Sequence, residues 1–214
     1  VQQVSAREVF DFICSNAWEC GDPGLLFLDE INRKHTMKKL GVIEATNPCG
    51  EVDLLPNEAC CLGSVNLSQM VRNRKVNWVK LAKVVKTGVR FLDNMVTLNK
   101  YPNKTIEKAC KNNRKIGLGV MGWADLLLLM NLKYDSEKGL KLAKQVIKFV
   151  RKSAEEESEK LAKEKGAFPN INKSSLKNKR RNATLLSIAP TGSISLIARC
   201  SSGIEPMFGV AYVR

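Results

Sequence analysis

Short apolar segments of strand character alternate along this chain with long amphipathic helical segments, and that alternation points to an α/β architecture. Over residues 5–20, helical spacing aligns Val9, Phe10, Ile13, Ala17 and Trp18 on one face, with Ser5 and Glu8 as a capping box and Gly21-Asp22-Pro23-Gly24 as the stop. A short helix is predicted within 25–31, running into Asn32-Arg33-Lys34, and strands at 41–46 and 62–67. Residues 78–98 predict a long helix with Val79, Leu81, Ala82, Val85, Val89, Leu92 and Val96 facing inward. A small-residue strand at 116–121, a helix at 123–130 and a second long, charged helix at 136–165 closed by Gly166 follow. A basic connector at 173–181 leads to a strand of buried type at 183–188, a turn at Pro190-Thr191-Gly192-Ser193, a short helix from Ile194 and a last strand at 208–213.

Composition narrows the chemistry. The 214 residues are 44% hydrophobic and 26% charged, the range of ordinary soluble proteins. No stretch approaches the roughly 20 apolar residues of a membrane-spanning helix, and no secretory signal pattern or initiator Met opens the chain. Both ends read as cuts within a longer protein, and a cytoplasmic location is expected. A net charge of +14 raises the idea of a nucleic-acid partner. The basic residues are spread along helices, with one cluster at Lys177, Lys179, Arg180 and Arg181, and aromatics are only 6%. A Lys-rich solvated surface is therefore favoured, with no nucleic acid and no membrane as partner. Seven cysteines, an odd number without a secretion signal, argue against a disulfide scaffold. No CxxC pair occurs, and the single histidine, His35, lies in a polar stretch and is expected to be an exposed loop residue. No metal site is expected. Any chemistry must rest on cysteine and carboxylate.

Asn47, Cys49 and Glu51 are spaced two apart, so an extended segment would project an amide, a thiol and a carboxylate from one face. Pro48 stiffens the segment, and Gly50 lets another group come close. Taken alone, a turn holding a buried cysteine explains these residues better. The wider pattern changes that balance. Asn47-Pro48-Cys49-Gly50-Glu51 is followed by Pro56-Asn57-Glu58-Ala59-Cys60-Cys61-Leu62-Gly63-Ser64-Val65-Asn66-Leu67. Then, in order, come Arg114-Lys115-Ile116-Gly117-Leu118-Gly119-Val120-Met121-Gly122, Ala124-Asp125-Leu126-Leu127, Arg181-Asn182-Ala183-Thr184, Ile188-Ala189-Pro190-Thr191-Gly192-Ser193-Ile194-Ser195 and Ser201-Ser202-Gly203-Ile204-Glu205-Pro206. Together with Ala17-Trp18, Gly21-Asp22-Pro23-Gly24 and Phe27-Leu28-Asp29, this series resembles the class II, adenosylcobalamin-dependent ribonucleotide reductases across essentially the whole chain.

The resemblance implies a fold and a mechanism. The fold is a ten-stranded α/β barrel in two antiparallel halves around a cysteine finger loop, of which residues 1–214 are a partial catalytic domain. The activity is radical reduction of ribonucleotides to 2′-deoxyribonucleotides. Cys49 would carry a thiyl radical, Glu51 act as general base on the 3′ hydroxyl, and Asn47 orient the substrate. Cys60 would be one member of the redox pair, its partner lying upstream of Val1. The implied cofactor is adenosylcobalamin. The implied partners are a ribonucleoside di- or triphosphate and a thioredoxin or glutaredoxin, and the complete protein could pair as a homodimer. The family usually has Asn where this chain has Cys61, which reads as a buried small residue. Cys14, Cys20, Cys110 and Cys200 are read as structural.

By its residues alone, Pro190-Thr191-Gly192-Ser193 is an anion-binding turn or a helix cap without ligand. The resemblance makes Ala189 through Ser193 a substrate-phosphate loop. The Gly117/Gly119/Gly122 run is read as close strand packing rather than a dinucleotide site, and Asp125 as a helix cap. Alternatives remain: a class I large subunit, a basic nucleic-acid-binding module, or an inactive truncation with exposed strand edges.

Overall fold

The computed structural model describes residues 3–209. Its centre is a parallel strand pair. β3 (Cys61–Asn66) runs beside β6 (Ile116–Met121), in register from Cys61↔Ile116 to Asn66↔Met121. All six residues of β6 are buried, as expected for a parallel strand covered on both faces. α3 (Trp78–Leu98) makes the crossover between them, packing on both strands and along α6 (Glu137–Lys165). Leu81, Val85, Val89, Leu92 and Val96 of α3 meet Leu142, Val146, Val150, Ala154 and Leu161 of α6 in one core. Val79, expected on the inner face of α3, is 83% exposed instead. It faces away from Trp78 and Leu81, which reach the core from the same turn.

The glycines of β6 are there for contact. A Cβ on Gly119 would lie 2.2 Å from Ser187 O, and one on Gly117 would lie 2.5 Å from Leu62 Cδ2. Residues 183–188 can therefore run hard against β6. Ile116 N–H donates to Thr184 O (3.3 Å) and Leu118 N–H to Leu185 O (2.8 Å). Only one bridge forms, Leu118↔Leu186, parallel, so the strand expected at 183–188 is an extended edge segment rather than a regular strand.

Around this centre, sequence and structure part in instructive places. α1 (Ala6–Cys20) starts where Ser5 Oγ accepts from Glu8 N–H (3.4 Å), and Gly21 ends it at φ +83°. None of its residues is buried, and Trp18 is 90% exposed. Its periodicity reports that a face is apolar, not what covers it. α2 (Leu28–Lys34) matches expectation, but of the strand expected at 41–46 only β1 (Ala45–Thr46) forms. Ile43 is diverted into a second small core with Met37, Leu55, Phe168 and Ala183. β2 (Asp53–Leu54) pairs antiparallel with β1. β4 (Val71–Arg72) and β5 (Lys75–Val76) form a hairpin around Asn73 and Arg74, at φ +51° and +56°. α4 (Lys104–Asn113) fills a stretch assigned no element from sequence, capped by Asn103 accepting from Ile106 N–H. α5 (Trp123–Leu129) follows β6, and α7 (Gly192–Ala198) begins two residues before the expected start. The strand expected at 208–213 lies mostly outside the described residues, and Phe208 and Gly209 are not in a strand.

Candidate active site

The antiparallel stem of β1 and β2 presents the cysteine segment as a turn. Gly50 N–H donates to Asn47 O (2.9 Å), and Gly50 takes φ +77°. The segment is thus closed rather than extended, which separates the three side chains differently from an alternating strand. Asn47 and Glu51 face each other across the base of the turn: Asn47 Nδ2 donates to Glu51 Oε2 (2.5 Å), and Asn47 Oδ1 accepts from Val52 N–H (3.0 Å). Cys49 sits exposed at the tip, with no hydrogen bond to either.

Ser187 Oγ donates to Glu51 O (2.8 Å), so the turn is tied to the extended segment two residues before Ala189. From there the chain enters Ala189-Pro190-Thr191-Gly192-Ser193. Thr191 is buried in the left-handed region at φ +58°, and its Oγ1 accepts from Gly203 N–H (2.7 Å). Thr191 O accepts the first bond of α7 from Ser195 N–H (2.9 Å). The Thr191 hydroxyl therefore holds the loop, while Ser193 is exposed. No hydrogen bond joins 189–193 directly to 47–51 among the described residues.

Cys60 lies eleven residues after Cys49, on the run into β3, with its sulfur 3.5 Å from where a Cβ on Gly117 would sit. Burial pushes its thiol up to about 12. Cys61 packs half-buried against the main core instead, and Cys110 Sγ accepts from Ala59 N–H (3.2 Å). Cys14 and Cys20 are exposed, and Cys200 is half-buried.

Sequence reasoning missed the charged groups behind this loop. Lys115 Nζ donates to Glu58 Oε2 (2.6 Å) and to Asp53 O (3.2 Å), with both side chains only 2% exposed. Glu58 Oε2 also accepts from Leu55 N–H (2.7 Å), and Glu58 Oε1 from Asn113 Nδ2 (2.5 Å). Both residues stand inside the quoted motifs, but a motif does not reveal that two of its charges will be buried together. His35, expected to be exposed, is half-buried beside this pair because its neighbour Met37 is drawn fully into the small core. Its Nε2 is buried without a hydrogen-bond partner, and burial, then the positive charge of Lys115, lowers its pKa. Two members of the basic cluster are also structural rather than solvated: Arg180 donates to Asn182 O and Ala183 O, and Arg181 lies beside Asp93. Asp125, expected to cap its own helix, accepts from Ser201 N–H (2.6 Å) and so anchors the chain after α7. Among the described residues no group of three or more His, Cys, Asp and Glu side chains could hold a metal ion, and no helix is long and apolar enough to cross a membrane.

The sequence model of the ribonucleotide reductase barrel domain matches residues 1–180 and 176–214. The vitamin B12-dependent ribonucleoside-diphosphate reductase of Thermoplasma acidophilum is 47% identical over 218 residues, covering 100% of this chain and 28% of that protein. The protein of the same name from Mycobacterium tuberculosis H37Rv is 48% identical over 216 residues, covering 100% of this chain and 31% of its own. The chain thus spans less than a third of the length of these curated relatives. Among solved structures, the class Id ribonucleotide reductase alpha subunit of Actinobacillus ureae superposes with a TM-score of 0.80 at 27% identity, over 94% of this chain and 39% of that one.

Proposed function

Because this chain belongs to the ribonucleotide reductase barrel-domain family, we propose that it carries the radical cysteine loop and part of the substrate cradle of a cobalamin-dependent ribonucleotide reductase. The observation that carries this reading is the paired Asn47 and Glu51 beneath an exposed Cys49, on a turn tied by Ser187 to the 189–193 loop. The 47–48% identity to relatives named vitamin B12-dependent, against 28% to the alpha subunit of Chlamydia pneumoniae, favours cobalamin over a second radical-generating subunit. The residues present fit such a group. The thiol is exposed at the tip, and a Cβ on Gly50 would meet nothing within 4 Å, so a bulky cofactor has room to approach. Adenosylcobalamin, when bound, would supply the radical chemistry, and the exposed Cys49 thiol would give up its hydrogen to it.

The chain's own residues then divide the work. The Cys49 thiyl takes the 3′ hydrogen of the ribose. Glu51 accepts the 3′ hydroxyl proton, and Asn47, held at its Oδ1 by Val52 N–H, keeps the carboxylate turned toward it. The 2′ hydroxyl departs as water. Cys60 and a second cysteine outside this chain supply two electrons and two hydrogens, one leaving with the 2′ hydroxyl as water and one going to C2′, and become a disulfide; Glu51 returns its proton to the 3′ oxygen as Cys49 returns hydrogen to C3′. With its thiol pushed up to about 12, Cys60 stays protonated at neutral pH, as a hydrogen donor must. Ala189 through Ser193 hold the phosphates of a ribonucleoside diphosphate, and a thioredoxin or glutaredoxin reduces the disulfide.

In a complete reductase carrying this segment, Cys49→Ser should abolish reduction while leaving nucleotide binding within about threefold of the parent, since the thiol is exposed and holds no other group. Normal turnover by that variant would remove Cys49 from the radical role.

A further inference from the structure

Four partly buried polar contacts converge on the stretch between the two cysteines, and the proposed function uses none of them. Lys115 stands one residue before β6, next to Ile116, which pairs with Cys61. From there its Nζ reaches Asp53 O and Glu58 Oε2, while Glu58 also takes Leu55 N–H and Asn113 Nδ2. Asn113 is held in turn by Asn170 Nδ2 (2.8 Å). The chain from β2 to Cys60 is thereby bound to the strand against which the Cys60 sulfur packs.

We infer that Lys115 and Glu58 are positioning residues for Cys60: the buried pair clamps residues 53–58 to the start of β6 and sets the charge around the Cys60 thiol. The inference rests on the redox role proposed for Cys60. A bare buried carboxylate two residues before a thiol would oppose its ionisation, and the ammonium offsets that opposition. Burial is the largest influence on the Cys60 thiol; of the ionisable groups around it, Lys115 favours the thiolate and Cys61, Glu58 and Cys110 oppose it. Cys61 feels burial alone. Glu58 stands two residues before Cys60, and the Cys60 sulfur packs against the strand that Lys115 leads into, so the pair bears on this thiol.

The test is differential alkylation of the complete reductase by iodoacetamide at pH 8, with Cys60 and Cys61 quantified separately by mass spectrometry. Lys115→Met should slow Cys60, and Glu58→Gln should speed it, each by about threefold to tenfold, with Cys61 unchanged. Lys115→Arg should restore the parent rate. Loss of packing alone would speed both thiols in both variants, and that outcome, or no change at all, overturns the inference. Should Lys115→Met not fold, the double variant Lys115→Met with Glu58→Gln removes both charges at nearly constant volume and should return Cys60 to within about twofold of the parent rate. Alkylation reads the thiol without turnover. If the opposed shifts appear yet Cys60→Ser still turns over repeatedly with thioredoxin, the clamp stands and the redox role of Cys60 falls.

Discussion

At the scale of single residues, space and backbone conformation separate glycines that look alike in the sequence. A Cβ on Gly119 would lie 2.2 Å from a backbone oxygen that cannot rotate away, so Gly119→Ala must push residues 183–188 off β6. We expect a loss of about 3 kcal/mol or more, the top of the usual cost of overpacking. Gly50→Ala meets nothing, and only the left-handed φ of +77° opposes it, for about 1–2 kcal/mol. Urea unfolding of the two variants would rank them, and equal losses would contradict the close approach at β6. Cys60 gives a prediction in pH. Its folded thiol lies at about 12, above the ordinary thiol value of 9.0, so the unfolded chain releases this proton first. Stability from this group is therefore full below about pH 9 and is lost as pH rises toward 12. Alkaline unfolding followed by circular dichroism should begin at higher pH in Cys60→Ser than in the parent. Coincident curves would mean that burial does not hold the thiol protonated.

At the scale of elements, a buried polar network joins α3, the C-terminal end of α4, Asn182 and α6. Asp93 of α3 accepts from Arg114 Nε (2.9 Å) and Asn182 Nδ2 (3.0 Å), and Ser158 of α6 donates to Asn182 Oδ1 (3.0 Å). The Asp93 and Arg114 side chains are 0% and 5% exposed, so Asp93→Ala leaves a cation buried without its partner. The expected cost is about 3–5 kcal/mol. Glu155→Ala breaks only an exposed pair with Arg151 and should cost under about 1 kcal/mol. Thermal melts of both variants would test the contrast. This network also marks how far the sequence could be read. The limits of α3, β6 and α6 were legible because their apolar periods are long and Asn77 and Ser136 accept capping bonds. α4 was not, because its stretch is polar and only Ile106, Ala109 and Cys110 break it, although Asn103 is an ordinary cap. The edge segment 183–188 read as a strand because its residues have strand character, but it makes only a single bridge to β6 among the described residues. For the candidate site, the residue types at 47–51 were legible but their arrangement was not. An i, i+2 spacing aligns side chains in a strand, whereas the bond from Gly50 N–H to Asn47 O makes a turn that pairs Asn47 with Glu51 and lifts Cys49 to the tip.

At the scale of the whole molecule, the described residues make a centre with open sides. β3 pairs only with β6, and the extended segment 183–188 has β6 on one side and no strand on the other. Phe12, Trp18 and Phe27 are 71%, 90% and 71% exposed, a concentration of large apolar surface that a free-standing domain does not leave in water. The relatives are more than three times longer, with this chain covering 28–31% of them. In a barrel, unpaired edges meet neighbouring strands and the outward helix faces meet other helices. The isolated 214-residue chain should therefore self-associate at micromolar concentration and bind a hydrophobic dye, whereas a complete reductase should do neither beyond its own assembly. A tryptophan probe localises the effect. With Trp78 and Trp123 replaced by Phe, Trp18 alone should emit at a water-exposed wavelength in the isolated chain under conditions that keep it monomeric. Sedimentation of the isolated chain as a single monomer, with no dye binding, would mean that these surfaces are stable in water and that the segment folds as an independent unit.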